Sequence, residues 1–135
     1  MNREVVYQER GFDVVITVRE AKAIDGYKRQ ILLTEAIGIE RGPDQSVLEI
    51  ALDVFRLWTY PAVAAATISI KNNPDAVEKV PENVEKLTLA ILIDLPDTLV
   101  SRWESMVFEL NPHWVPVAPG KDEETKKEEA EVAIT

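Results

Sequence analysis

The sequence predicts an α+β fold: an N-terminal β-hairpin, a mainly α-helical body of three to four helices, and a disordered acidic C-terminal tail. Three observations carry this expectation. Val5 and Tyr7 alternate with polar neighbours and a β-branched run follows from Val14 to Val18, the period-two pattern of half-buried strands. From about Glu20 onward apolar residues recur at helical spacing instead. After Trp114 the aromatic residues end, and a Lys- and Glu-rich run extends to Thr135, which leaves little to bury against the entropy of ordering it. The expected organisation is one folded domain over residues 1–116 and a flexible charged tail over 117–135.

In the hairpin, Glu9 to Phe12 supply a Gly-containing turn between the two strand runs. The first helix is expected from about Glu20 to Ile39, with Ile24, Tyr27, Ile31 and Thr34 on one face and Lys22, Lys28 and Arg29 elsewhere. Gly26 weakens this helix without ending it. Arg41-Gly42-Pro43-Asp44 breaks the chain, and Ser46 with Glu49 matches a capping box, in which each side chain satisfies a free N–H of the first turn. A second helix therefore starts at Ser46. Its apolar positions Val47, Ala51, Val54, Phe55, Trp58 and Ala62 share one side, with Glu49, Asp53 and Arg56 on the other. Pro61 should bend this helix or end it and begin another turn, because proline removes an internal hydrogen bond.

Thr67 to Ile70 fits either a helix end or a short strand, and Lys71-Asn72-Asn73-Pro74-Asp75 is a loop. Residues 81–95 are also two-valued: Leu87, Leu89, Ile91 and Ile93 alternate as in a strand, whereas Val84, Leu87, Ala90 and Ile91 fit a helix, the reading preferred here. Asp94 and Pro96 open a last helix whose stripe Leu99, Trp103, Met106 and Leu110 stops at Asn111-Pro112.

With 135 residues, one hydrophobic core is expected. No stretch approaches the roughly 20 consecutive apolar residues of a membrane-spanning helix, so no membrane partner is expected. Met1-Asn2-Arg3-Glu4 leads straight into strand-like sequence without an apolar export segment, which points to a protein that is not exported. The chain has no cysteine, which removes disulfides, thiolate nucleophiles and cysteine-bound zinc and suits a reducing compartment. A net charge of -9 opposes binding to a phosphate backbone, whose affinity comes from clustered Lys and Arg; nucleic acid is not an expected partner, and a basic protein is.

The residues offer little for catalysis. His113 is the one histidine, and it sits between Pro112 and Trp114, where a packing or capping role is the ordinary one. Asp94 and Asp97 are spaced for paired acid–base work, but acidic residues at a helix start also complement its free N–H groups and macrodipole. Phosphate-binding glycine loops, nucleophile elbows and zinc-binding helix motifs are missing from the sequence. No enzyme activity, metal or cofactor is expected. The unusual feature is apolar excess on the second helix: Leu48, Ile50, Leu52 and Leu57 flank its apolar side and widen it well beyond the stripe of somewhat over 100° that a surface helix needs. Such a helix is either central to the fold or shared with another chain.

A hairpin and a helix, then the segments Leu57-Trp58-Thr59-Tyr60-Pro61-Ala62-Val63-Ala64-Ala65-Ala66-Thr67 and Leu95-Pro96-Asp97-Thr98-Leu99-Val100-Ser101-Arg102-Trp103, and finally Glu109-Leu110-Asn111-Pro112-His113-Trp114, follow one another along the chain. In this plan, which spans most of residues 4–114, the chain resembles the tail assembly chaperones of long-tailed, lambda-like siphovirus bacteriophages. The resemblance implies a non-catalytic protein of the host cytoplasm that binds and solubilises the tape measure protein during tail morphogenesis and is absent from the mature virion. It also implies a longer, frameshifted product that recruits the tail tube protein; Gly120-Lys121 is the kind of dipeptide a slippery codon pair encodes. The anchors best suited to such binding are Leu57, Trp58, Tyr60, Trp103, Phe108 and Trp114, since aromatic side chains dominate interface energetics, although the same residues are natural core material. Self-association into a homo-oligomer is expected from the wide apolar arc around Trp58. The alternative reading is a structural virion protein, such as a head–tail connector or tail completion subunit.

Overall fold

The computed structural model describes residues 1–37 and 52–115. Strands β1 (Asn2–Tyr7) and β2 (Val14–Arg19) form the expected hairpin, antiparallel in a register running from Asn2 opposite Arg19 to Tyr7 opposite Val14. Alternation decides the faces: Val5, Tyr7, Val14, Ile16 and Val18 point into the core, and Val6, Val15 and Thr17 point the other way. The turn uses positive φ at Arg10 (55°) and Gly11 (85°). A side chain at Gly11 would be strained by that φ and would bring a Cβ to 3.2 Å from Glu78 Cγ, while the Gly11 carbonyl accepts a 2.9 Å bond from Glu78 N–H.

The segment beginning at Thr67 is a strand. β3 (Thr67–Asn72) pairs antiparallel with β2, giving the order β1-β2-β3 with a register shift at Thr17/Val18. The strand also takes in Lys71 and Asn72, where the sequence pattern predicts a loop. Asn72 then clamps the following loop with its side chain, donating to Val80 O at 2.7 Å and accepting from Val80 N at 2.9 Å. That clamp seats Val80 in the core.

Helix α1 (Ala23–Ile37) follows the hairpin. The capping box at Ser46 and Glu49, and the positions Val47, Leu48, Ile50 and Ala51, lie outside the described residues. The second helix is seen from Leu52, and it is interrupted by a π-helical turn at Phe55–Thr59 before α2 (Tyr60–Ala66). Pro61 explains the interruption. Proline offers no N–H and its ring crowds the carbonyl four residues back; the wider turn, closed by Tyr60 N–H on Phe55 O, opens the helix where that crowding falls. Side chains at and just before this turn do not keep the faces expected of one regular helix. Val54, expected on the apolar side, is 50% exposed, and Arg56, expected on the polar side, is 7% exposed with Nη2 2.9 Å from Asp53.

From Pro61 to Ala66 every residue of α2 is buried. Alanine is small enough for its neighbours, α1 and the long helix near the C-terminus, to approach closely from different sides. Residues 81–95 are helical only in part: a 3₁₀ turn at Val84–Lys86, with Asn83 accepting from Glu85 N–H, gives way to extended backbone at Leu87, and α3 (Leu89–Ile93) starts under a Thr88 cap. Asn83 and Thr88 are the reason, since each side chain competes with a continuous helix by satisfying the backbone locally.

Helix α4 (Asp97–Leu110) ends at Asn111, followed by a 3₁₀ turn at Pro112–Trp114. It buries Leu99, Val100, Trp103 and Val107. Trp103 Nε1 donates to Thr67 Oγ1 at 2.9 Å, and Thr67 Oγ1 donates in turn to Val63 O at 2.6 Å, so α4, β3 and α2 meet at one satisfied polar point inside the core. The core is continuous from Val5 to Trp114, and each large aliphatic or aromatic side chain in it contributes about 1.5–3 kcal/mol of burial. The expected tail, 117–135, lies outside the described residues.

Candidate protein-docking surface

Polar contacts help to set the orientation of α1, beside the half-buried Leu32 and Leu33 on the same side. Asp25, 4% exposed, receives Arg19 Nε at 2.8 Å and Nη2 at 2.7 Å, and Lys22 N–H at 2.8 Å. The last bond is the return half of a capping box, with a carboxylate in the first turn holding the N–H before the helix. Burial alone would raise the Asp25 pKa; the Arg19 hydrogen bonds, the Lys22 N–H and the charges of Arg19 and Lys28 outweigh it and hold the carboxyl below its ordinary value. The Arg19 guanidinium, hydrogen-bonded to the same carboxylate, is raised despite partial burial.

Two further contacts fix the same side. Fully buried Asn111 accepts from Ala21 N–H at 2.7 Å and donates to Arg19 O at 3.1 Å and Val107 O at 3.0 Å, tying the end of α4 to the strand–helix junction. Arg29 lies over the Trp114 ring, 5.2 Å from its centroid, and burial lowers its pKa. With Asp25 and Arg29 turned inward, helical geometry turns Ile24, Tyr27 and Ile31 outward. They are 65%, 69% and 60% exposed and stand at i, i+3 and i+7, with Thr34 continuing the row. This is an apolar helix face without a partner among the described residues.

The anchors expected from the sequence separate into two groups. Trp103 and Trp114 are buried and serve the core. Leu57 and Trp58 are partly buried in the π-helical turn, and Tyr60 and Phe108 pack at the rim of the core. Burial and then the Glu35 carboxylate raise the Tyr60 pKa. Neighbouring Thr59 donates to Glu104 Oε2 at 3.1 Å, so this region is braced against α4. Ile24, Tyr27 and Ile31 were visible in the sequence as a helix face but not as an exposed one. The signal was the charged pair Asp25 and Arg29 on the opposite side, preceded by Arg19.

Asp94, Asp97 and His113 are all exposed. His113 is tilted against Trp114, ring centroids 5.6 Å apart. Among the described residues no group of three or more His, Asp or Glu side chains is placed to hold a metal ion, and no helix is long and apolar enough to cross a membrane. The chain matches no protein-family model, no curated protein and no solved structure.

Proposed function

We propose that the protein is a non-catalytic phage tail assembly chaperone, which binds and solubilises the long helical tape measure protein in the bacterial host cytoplasm and leaves before the virion is complete. The observation that carries this reading is the exposed row Ile24, Tyr27 and Ile31 on α1. Apolar side chains at i, i+3 and i+7 are the pattern by which one helix docks along another, and a tape measure polypeptide offers a long succession of such helices. The resemblance across residues 4–114 supports the same partner. A net charge of -9 suits the task, because many bound copies would keep an otherwise sticky polypeptide in solution.

Co-expression with a tape measure protein encoded beside it tests the reading. The native chain keeps that partner soluble and co-purifies with it in several copies, without nucleotide or metal. Equal solubility with and without the chain, or recovery of the chain in purified mature particles, contradicts the proposal; the second result favours a structural virion subunit.

A further inference from the structure

We propose that the free edge of β1, together with the flank of α4, is a second docking site, one that takes an extended, basic polypeptide segment as an added β-strand. The site is separate from the α1 row and does not depend on its role.

The β1 backbone is prepared for such a strand. Glu20 N–H donates to Met1 O at 2.9 Å, which makes that pair hydrogen-bonded. Alternation in an antiparallel ladder then makes Arg3–Val18, Val5–Ile16 and Tyr7–Val14 bonded pairs as well. The N–H and C=O groups of Asn2, Glu4 and Val6 therefore point away from β2. No strand covers them among the described residues, since β1 is the outer strand of the β1-β2-β3 order. Natural edges this regular are usually blunted by proline, a bulge or a covering element; β1 has neither proline nor bulge.

Beside that edge there is room for an occupant. A groove of about 410 Å³ runs between β1 and α4, lined by Glu4, Val5 and Val6 on one side and by Ser101, Arg102, Ser105, Met106 and Glu109 on the other. Ion pairs cross between the hairpin and α4 toward its two ends, Arg3 to Glu109 at 3.0 Å and Arg102 to Glu9 at 3.3 Å. Arg102 and Glu109 are themselves part of the lining, so both pairs border the groove. At about 3.3 Å per residue, the open stretch accommodates a short extended segment rather than a helix, whose diameter of roughly 10 Å with side chains would keep its backbone off the β1 edge.

Charge selects the occupant. Arg3, Arg102, Glu9 and Glu109 are paired with one another, whereas Glu4 has no ionic or hydrogen-bonded partner among the described residues. A strand added to β1 places one side chain beside Glu4, a second beside Val6 on the same face, and one between them toward Ser101, Ser105 and Met106. The pattern that fits is Lys or Arg, then a small or β-branched residue, then an apolar β-branched residue. A second copy of the chain is disfavoured, because it brings another Glu4 and another net charge of -9. Residues 117–135 are also net acidic and are disfavoured for the same reason.

The probe is the blocked peptide Lys-Thr-Val-Thr-Lys-Thr, titrated into isotope-labelled full-length protein at up to millimolar concentration while backbone amide resonances are followed. Saturable shifts confined to Asn2, Glu4, Val6 and the facing side of α4 are expected, with weakening as salt is raised. A version with Glu in place of Lys, or one N-methylated at alternate residues, should leave those amides unmoved. Val6→Pro removes an outward N–H that β2 does not use and should weaken binding about three- to tenfold. Glu4→Lys leaves every ladder bond in place and should weaken the basic peptide while favouring the acidic one, which decides the matter even where Val6→Pro does not fold. No shift at β1, equal response to both peptides, or shifts that track protein concentration and so report self-pairing would each overturn the proposal.

Discussion

Helices α1 and α4 border the same core, yet they face it in opposite ways. α4 is conventional: Leu99, Val100, Trp103 and Val107 point in, while Ser101, Arg102, Ser105 and Glu109 point out. α1 turns the buried Asp25, paired with the partly buried Arg19 of β2, and the partly buried Arg29, Leu32 and Leu33 toward the body and leaves Ile24, Tyr27 and Ile31 in solvent. Burial of apolar area dominates on the inward side of α4, whereas the inward side of α1 combines a charge-assisted hydrogen-bond cluster with half-buried Leu32 and Leu33. The difference teaches that an amphipathic helix need not commit its apolar face to its own fold. Where polar contacts share in setting the rotation, part of the apolar surface can stay in solvent, as Ile24, Tyr27 and Ile31 do.

Substitutions on the two helices should therefore have unlike consequences. The largest loss is expected at Trp103→Ala, about 3–5 kcal/mol, since it opens a cavity and strips Thr67 of its indole partner; denaturant unfolding would measure it, and a cost below about 1 kcal/mol would break the description of α4. Asp25→Asn should cost about 2–3 kcal/mol, because it leaves Arg19 partly buried without its counter-charge. That contribution also has a pH signature. The folded pKa of Asp25 is lowered, so its stabilisation is complete above the unfolded carboxyl value of about 3.9 and is lost as pH falls through the folded one. The gap between native protein and variant should be constant near neutrality and close in acid; a gap that widened in acid would mean that the carboxylate is not the stabilised form.

A smaller effect of opposite sign is expected at Gly26. Among the described residues beyond its own helix backbone and chain neighbours, nothing lies within 4 Å of where a Cβ would stand, and glycine inside a helix costs about 0.5–1 kcal/mol relative to alanine. Gly26→Ala should raise the unfolding midpoint without touching either docking surface. A fall would show that α1 needs to bend at this point.

Much of this was legible in the sequence because it rests on local pattern. The hairpin follows from alternation and from Gly11, and α4 follows from its stripe and from the Asn111-Pro112 stop. What was not legible depends on contacts between distant parts of the chain. Thr67 to Asn72 became a strand because β2 offered an edge beside it, and no local feature separates that outcome from a helix end. Val54 and Arg56 do not keep the faces expected of one regular helix; the π-helical turn from Phe55 breaks that register from Arg56 onward, while the exposure of Val54, which precedes the turn, has no such explanation. In residues 81–95 the caps Asn83 and Thr88 overrode apolar spacing. For the docking surface, aromatic content pointed to Trp103 and Trp114, which the core uses; the exposed row on α1 depends on the pairing of Arg19 with Asp25 and on Asn111, which joins residues some 90 positions apart.

The central claim is that the α1 row belongs to a partner and not to this chain's core. The most direct test measures two properties of one protein, Ile24→Lys combined with Ile31→Lys: its thermal unfolding midpoint and its ability to keep the tape measure polypeptide soluble. Exposed positions of this kind change stability by no more than about 0.5 kcal/mol each, so a nearly native midpoint with solubilisation lost is the predicted result. A midpoint that drops as far as that of Trp103→Ala, or undiminished solubilisation by a folded variant, would contradict it.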